Sequence, residues 1–195
     1  MTDKAPTTTT AAEAEKLLSD AGALLEGHFQ LASGKHSPRY VEKFRLLEQP
    51  TQTEALCRMI ADWSRSISPQ VVTGPTTGGI LISYEVARIL GTRSIFAENE
   101  EGRPGRAFQR GFVITPGERV LVVDDVLTTG GSIREVIDAV KGLGGVIAGV
   151  AVLVDRAAGR TDFGAPFFAC LELGIPAYEA SDCPLCSDGV PLKVT

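Results

Sequence analysis

Short runs of continuous apolar residues alternate with amphipathic stretches along most of the chain. The apolar runs predict buried strands at residues 71–73, 93–97, 119–124, 146–154 and 167–173. Apolar positions at helical spacing predict helices at residues 50–65, 80–90 and 132–143. This alternation is typical of a parallel sheet whose two faces are both covered by helices. We therefore predict an α/β fold with its core at residues 66–175.

The two ends of the chain do not follow this alternation. Residues 11–25 predict a short amphipathic helix, and strand-like pieces follow at residues 29–31 and 40–44. We expect residues 20–50 and 176–195 to form a small cap over an edge of the sheet. The Thr-rich residues 1–10 are predicted to be a disordered tail, and the whole chain, 1–195, to be a single domain.

Composition and charge narrow the classes of function. Apolar residues make up 44% and charged residues 22% of the chain, as in soluble globular proteins. No apolar run approaches the ~20 residues that span a membrane, so we expect no membrane association and a cytoplasmic protein. A net charge of −5 argues against nucleic acid as a partner. Any anionic ligand must then be held locally, by backbone amides, a metal ion or a few placed cations.

The strongest motif is VLVVDDVLTTGGS at residues 120–132. Asp124 and Asp125 stand where a buried strand ends, and small residues then lead directly into a helix. Such a loop presents free amides and the positive end of a helix, which suits a phosphate. The paired carboxylates fit sugar hydroxyls or a hydrated Mg²⁺. The alternative is a surface turn in which Asp124 only caps the helix, and neither GxxxxGK[ST] nor GxGxxG occurs in the chain.

This motif resembles the phosphoribosyl-pyrophosphate signature of the type I phosphoribosyltransferases. The resemblance implies that Asp124 and Asp125 hold the ribose, with Mg²⁺ bound near them through ligand and water. It also implies that the 5′-phosphate is wrapped by a first loop made of Val126, Leu127, Thr128, Thr129, Gly130, Gly131 and Ser132. A second loop, residues 73–79, is implied to bind pyrophosphate through Thr76, Thr77 and Gly78. By itself the second loop would be an ordinary strand-to-helix turn.

The segment at residues 27–44 is similar to the N-terminal substrate segment of the orotate phosphoribosyltransferases. The matching positions are Phe29, Leu31, Ser33, Gly34, Ser37, Pro38 and Tyr40. This resemblance implies orotate contacts from Thr128, Arg156, Tyr40 and Val41, with Arg156 on the carboxylate. A guanidinium pairs a carboxylate bidentately, although a surface salt bridge is the alternative role for Arg156.

The implied protein is a homodimeric transferase of pyrimidine biosynthesis that carries phosphoribosyl to orotate with Mg²⁺ as cofactor. Two rival functions stay open. One is a purine phosphoribosyltransferase, and the other is a regulator that keeps the fold to sense the metabolite.

The chain departs from the family pattern in a segment that we call the lid, residues 98–110. Many relatives carry lysines there, whereas this lid has only Arg103, Arg106 and Arg110 as cations. Arg103, beside Gly102, is the first candidate for charge stabilisation of the departing pyrophosphate, and Arg106 is a further pyrophosphate candidate. Lysines common elsewhere in the family are replaced by Thr76-Thr77 and by Ala32.

Cys183 and Cys186 have the spacing of a zinc knuckle, but one such pair cannot complete a four-ligand site. His28 and His36 could complete it only if the fold brings them to the cysteines. An exposed dithiol is favoured over structural zinc, and a disulfide is the third alternative. For His36, contact with substrate phosphates and simple solvent exposure are equally open.

Overall fold

The computed structural model describes residues 8–31, 33–157 and 161–195. Its helices are α1 (Thr8–Asp20), α2 (Lys43–Leu47), α3 (Pro50–Ser64), α4 (Gly78–Leu90), α5 (Gly131–Gly142) and α6 (Pro184–Ser187). Its strands are β1 (Leu24–Gln30), β2 (His36–Val41), β3 (Val71–Pro75), β4 (Arg93–Asn99), β5 (Arg106–Ala107), β6 (Arg119–Leu127), β7 (Val146–Asp155), β8 (Phe167–Glu172) and β9 (Lys193–Val194). Short 3-10 turns occur at Arg65–Ile67 and Ala180–Asp182.

The main sheet has six strands in the order β5-β4-β3-β6-β7-β8. All neighbours pair in parallel except β5, which runs antiparallel to β4 at one edge. The predicted α/β fold is therefore confirmed. Within the described residues, every helix is too short or too polar to span a bilayer.

Both faces of this sheet are buried, which explains the continuous apolar runs of its strands. Val72, Leu121 and Leu153 pack in one core cluster with residues of α1, α3 and α4. Their neighbours along the strands, such as Val122 and Val152, point to the opposite face and pack with α5. Successive side chains of a strand point to opposite faces of the sheet. A strand that is buried on both faces therefore needs apolar residues at consecutive positions.

A second, three-stranded sheet forms the cap, in the order β2-β1-β9. The hairpin β1–β2 comes from the N-terminal part of the chain, and β9 adds a parallel strand from the C-terminal end. A backbone bridge also joins His36 to Tyr178. The two ends of the chain therefore meet in one cap, as the sequence predicted.

Two boundary predictions near the N-terminus were wrong. The helix predicted at residues 11–25 ends at Asp20, because Gly22 turns the chain with a φ of 66° and the next residues enter β1. The same helix begins at Thr8, inside the stretch predicted as a disordered tail, and residues 1–7 lie outside the described residues. Pro50 does open α3, as predicted.

Two other segments also differ from prediction. The strand predicted at residues 40–44 stops at Val41, because the Glu42 carboxylate accepts a hydrogen bond from the Phe44 amide and begins α2. The lid is more than a loop, because its ends pair as the antiparallel strands β4 and β5. Residues 100–105 therefore form the tip of a hairpin.

Candidate active site

The candidate groups lie at the carboxyl ends of adjacent parallel strands. The second loop follows β3, the acidic pair and first loop stand at the end of β6, and Arg156 follows β7. In the sheet, β4 pairs with one side of β3, and β6, which comes later in the chain, pairs with the other side of β3. This reversal of strand order opens a crevice at the carboxyl edge, where ligands of open α/β sheets bind.

Asp124 and Asp125 are both buried at this edge. One carboxylate oxygen of Asp124 accepts from the Asp125 amide at 2.8 Å, and one of Asp125 accepts from the Val126 amide at 2.7 Å. Asp124 therefore does not cap α5, whose N-cap is Gly130. Burial, and then the negative charge of Asp125, raise the pKa of Asp124 to about 7.

Lys43 supplies a cation to this acidic pair. Its Nζ lies 2.8 Å from Oδ2 of Asp125. Burial lowers the pKa of Lys43, but the hydrogen bond and charge of Asp125 outweigh that effect and raise it. The sequence prediction missed Lys43 because it placed residues 40–44 in a strand. The available signal was Glu42, because an acidic residue is favoured at the N-terminus of a helix.

The first loop ends at the start of α5, where the backbone amides have few hydrogen-bond partners within the helix. Gly130 has a φ of 81° and, as the N-cap, has no side chain to satisfy the first amides of the helix. Thr128 and Thr129 are exposed beside it. Val126 and Leu127, predicted as part of the loop, instead belong to β6, and the Leu127 side chain is buried in the core. An anion could therefore be bound by residues 128–132.

The second loop packs directly against the acidic pair. A Cβ at Gly78 would lie 1.8 Å from Oδ2 of Asp125, so this approach requires glycine. The loop contains a cis peptide between Thr76 and Thr77, and α4 begins at Gly78. Nη1 of Arg106 donates to Oγ1 of Thr76 at 3.0 Å, and its Nε donates to Glu135 at 3.2 Å. Arg106 thus reaches the second loop of its own chain.

The other two lid arginines point elsewhere. Arg103 pairs with Glu100 at the hairpin tip, and 77% of its side chain is exposed. Arg110 pairs with Glu98 at 2.8 Å and is also exposed. Of the three lid arginines, Arg106 alone has a described contact with the second loop. The structure therefore separates an inward arginine from two outward ones, a distinction that the sequence did not indicate.

A cavity of about 1000 Å³ lies beside the first loop. Its walls come from the cap, the first loop, the residues after β7 and the C-terminal segment: Leu31, Ser33, Lys35, Tyr40, Thr128, Thr129, Arg156, Ala157, Gly174, Ile175, Pro176, Ala177 and Thr195. Of the four predicted orotate residues, Thr128, Arg156 and Tyr40 line this cavity. The side chain of Val41 instead packs in the hydrophobic core. Ala32 lies outside the described residues.

Two cations line this cavity, and they differ in their partners: Lys35 pairs with Glu179 at 2.7 Å, whereas Arg156 has no salt bridge among the described residues. No described residue accepts a hydrogen bond from its buried Nε. Burial lowers the pKa of its guanidinium. A buried, unpartnered donor of this kind costs free energy unless a ligand supplies the acceptor. The arrangement fits an anionic ligand group, and it contradicts a surface salt bridge as the role of Arg156.

The described lining of this cavity does not include Cys183, Cys186, His28 or His36. Cys186 is exposed but Cys183 is buried, so the exposed dithiol that was favoured from the sequence is wrong for Cys183. His36 is 5% exposed and does not line the cavity, so it is not solvent-exposed. Both differences arise where the C-terminal segment packs on the cap hairpin and brings the cysteines against His28 and His36.

The raised pKa of Asp124 predicts how stability depends on pH. An acid with a higher pKa in the folded state destabilises the fold as pH rises from its unfolded pKa towards about 7. We expect Asp124→Asn to match wild type near pH ~4 and to be more stable by at least ~1 kcal/mol near pH ~8. Urea denaturation at both pH values measures this, with the exposed Asp62→Asn as control. Parallel pH profiles for Asp124→Asn and wild type would contradict the assignment.

Comparison with known proteins places the chain in a family. Residues 45–181 match the phosphoribosyl transferase domain. The orotate phosphoribosyltransferase of Heliobacterium modesticaldum is 50% identical over 177 residues, covering 90% of this chain and 92% of that protein. That of Thermotoga maritima is 46% identical over 179 residues, covering 92% and 95%. The solved orotate phosphoribosyltransferase of Aeropyrum pernix is 28% identical with a TM-score of 0.68, covering 81% of this chain and 92% of that one. The chain therefore belongs to the phosphoribosyltransferase family, and within it to the orotate phosphoribosyltransferases.

Proposed function

We propose that this chain transfers phosphoribosyl from 5-phospho-α-D-ribose 1-diphosphate to orotate, giving orotidine 5′-phosphate and pyrophosphate in pyrimidine biosynthesis. The observation that carries the proposal is the buried Nε of Arg156, which has no partner among the described residues and lines a cavity beside the first loop. Orotate has a carboxylate that a guanidinium can pair, whereas purine bases have none. The names of the similar proteins support the same substrate.

The reaction breaks the bond between C1 of the ribose and an oxygen of pyrophosphate and forms a bond from that carbon to a ring nitrogen of orotate. The N–H proton of that nitrogen is released to the pyrophosphate or to solvent. Its transition state carries positive charge on the ribose, so the chain acts mainly by positioning and by charge stabilisation. Asp124 and Asp125 accept hydrogen bonds from the ribose hydroxyls, and residues 128–132 bind the 5′-phosphate through amides and hydroxyls. Thr76, Thr77 and Gly78 bind the pyrophosphate together with Arg106.

Mg²⁺ is part of the proposal, and the acidic pair suits it. Asp124 and Asp125 present hard oxygen donors at the edge of an anion site, which is the donor type that Mg²⁺ prefers. When bound, the ion supplies positive charge to the pyrophosphate group. Lys43 neutralises one of the two carboxylates, which lets both acids share a site where their mutual repulsion is otherwise unfavourable.

A homodimer is also proposed, and exposed apolar side chains support it. Leu81 and Tyr84 are 49% and 66% exposed, and their spacing places them on one face of α4. Phe44 of the neighbouring α2 is 53% exposed. Phe44 follows Lys43, which contacts Asp125, so this apolar face borders the site. A partner bound there could bring its own lid to the site. We expect such a dimer in the cytoplasm.

The function is tested by base specificity. Pyrophosphate release in a coupled assay should require orotate, and adenine, guanine, hypoxanthine and xanthine should give none. Release with a purine base instead would favour the purine rival. The absence of release with every base, in protein that still binds the phosphoribosyl donor, would favour the regulator.

Arg156 should act on orotate rather than on the donor. We expect Arg156→Ala to raise the KM for orotate at least ~30-fold, because removing one partner of a desolvated charge pair costs roughly 2–5 kcal/mol. The KM for the phosphoribosyl donor should change little. Arg156→Lys keeps the charge but loses the planar fork, so it should recover only part of the affinity. Equal changes in both KM values would indicate a structural role.

The lid arginines should differ in which subunit they serve. Arg103→Ala and Arg106→Ala should each lower kcat by roughly 10²-fold, because each removes positive charge from the departing pyrophosphate. Arg103 points out of its own site, so we expect it to act in the partner. Arg106 contacts its own second loop and should act there.

Hybrid dimers distinguish the two arginines. An Arg103→Ala chain mixed with an Asp124→Asn/Asp125→Asn chain should regain one working site per dimer. The matched Arg106→Ala hybrid should regain none, because neither of its sites is complete. If the Arg103→Ala hybrid also failed to recover, the lid would serve its own subunit. An unchanged kcat in Arg103→Ala would remove that residue from the mechanism.

A further inference from the structure

Four metal-binding side chains meet at the junction between the cap and the C-terminal segment. His28 lies on β1 and His36 on β2, while Cys183 stands just before α6 and Cys186 lies within it. One potential ligand atom from each lies within 4.8 Å of all the others. The cysteines are more than 140 residues away from the histidines in sequence, so only the fold brings the four together.

Four of the six separations between these atoms are close to those of a tetrahedral zinc site. With Zn–N bonds of about 2.05 Å and Zn–S bonds of about 2.3 Å, tetrahedral ligand atoms lie about 3.3 to 3.8 Å apart. Nε2 of His28 lies 3.5 Å from Sγ of Cys183 and 3.7 Å from Sγ of Cys186. Nδ1 of His36 lies 3.2 Å from Sγ of Cys186 and 2.9 Å from Nε2 of His28. Each of these four separations is within about 0.5 Å of its tetrahedral value. The other two, from Cys183 to His36 and to Cys186, are at most 4.8 Å.

The hydrogen bonding of His28 prepares it as a ligand. Its Nδ1 lies 2.8 Å from the carbonyl oxygen of Val190, which can only accept, so Nδ1 carries the proton. This leaves Nε2, which faces the other three side chains, as the nitrogen available to a metal in the neutral ring. Histidine ligands of metals commonly donate their second ring N–H to a carbonyl in this way.

Burial of the cluster also fits a structural metal. His28, His36 and Cys183 are 1%, 5% and 1% exposed, whereas Cys186 is exposed at the rim and leaves a path for entry. Two thiolates neutralise the charge of a divalent ion, so the completed site carries no net charge into the interior. Four protein ligands of this N₂S₂ type are typical of closed, structural zinc sites.

We propose that His28, His36, Cys183 and Cys186 bind one Zn²⁺ per chain. Both thiols lose their protons to solvent as the thiolates coordinate, and no oxidant or reductant is needed. The ion joins the β1–β2 hairpin to the C-terminal segment. Both pieces also wall the cavity, through Tyr40 on one side and residues 174–177 on the other. The zinc therefore holds two walls of the cavity together from outside it.

The first test uses the wild-type protein, purified under reducing conditions without chelator. Elemental analysis should find about one zinc per chain. After zinc removal, Co²⁺ should restore binding and give the intense visible absorption of a tetrahedral site, with thiolate charge-transfer bands in the near ultraviolet. Protein that contains no zinc and gives no such absorption with Co²⁺ would overturn the proposal. The proposal would also be overturned if Cys183 and Cys186 formed a disulfide and the protein bound no metal after that disulfide was reduced.

The second test uses variants. Cys183→Ser and Cys186→Ser should each lose the stoichiometric metal, whereas Cys57→Ala removes a distant buried thiol and should keep it. A chelator should lower the Tm of wild type and of Cys57→Ala by at least ~5 °C, and it should leave the Tm of the two serine variants unchanged. If all three variants retained the same amount of metal, the metal would be bound at another site and the proposal would be wrong. These measurements do not use activity, so their failure is distinguishable from failure of the proposed function.

Discussion

The parallel pairing of β3, β6 and β7 positions nearly every group with which this chain can bind its ligands. Because the three strands run in one direction, their carboxyl ends meet at one edge, and the loops that follow them must share that space. The pairing is maintained by apolar side chains on both faces, which the helices cover. The site therefore depends on the core, since a shift of β6 against β3 would separate the acidic pair from Gly78.

Two neighbouring carboxylates at that edge repel each other, and contacts with nearby groups offset part of this repulsion. Lys43 pairs with Asp125, and backbone amides donate to one oxygen of each acid. Asp124 keeps a raised pKa despite these contacts. A site that is unfavourable for negative charge when alone is suited to ligand hydroxyls and to a cation. The unfavourable free energy of the empty acidic site lowers the stability of the fold, and its relief by a ligand contributes to binding.

The cap shows how a cavity can be built from the two ends of a chain. The β1–β2 hairpin and the C-terminal segment are joined by β9, by the bridge between His36 and Tyr178, and by the His–Cys cluster. The β1–β9 pairing spans only two residue pairs, and the bridge adds one more. A metal ion bound by the His–Cys cluster would add stabilisation to this short junction. The two pieces that it joins also line the cavity that contains Arg156.

Sequence alone determined the α/β core, the acidic pair and the two glycine loops, because apolar periodicity and strand-to-helix motifs are local. It also indicated Arg156 and Tyr40, through a resemblance that proved correct at the level of the family. Element ends near Asp20 and Val41 were missed, since single residues such as Gly22 and Glu42 decided them against the apolar pattern. Only the tertiary structure decided that Lys43 meets Asp125, that Arg106 points inward while Arg103 points outward, and that two histidines join two cysteines. Those contacts link residues far apart in the chain, and their geometry depends on packing that no local pattern records.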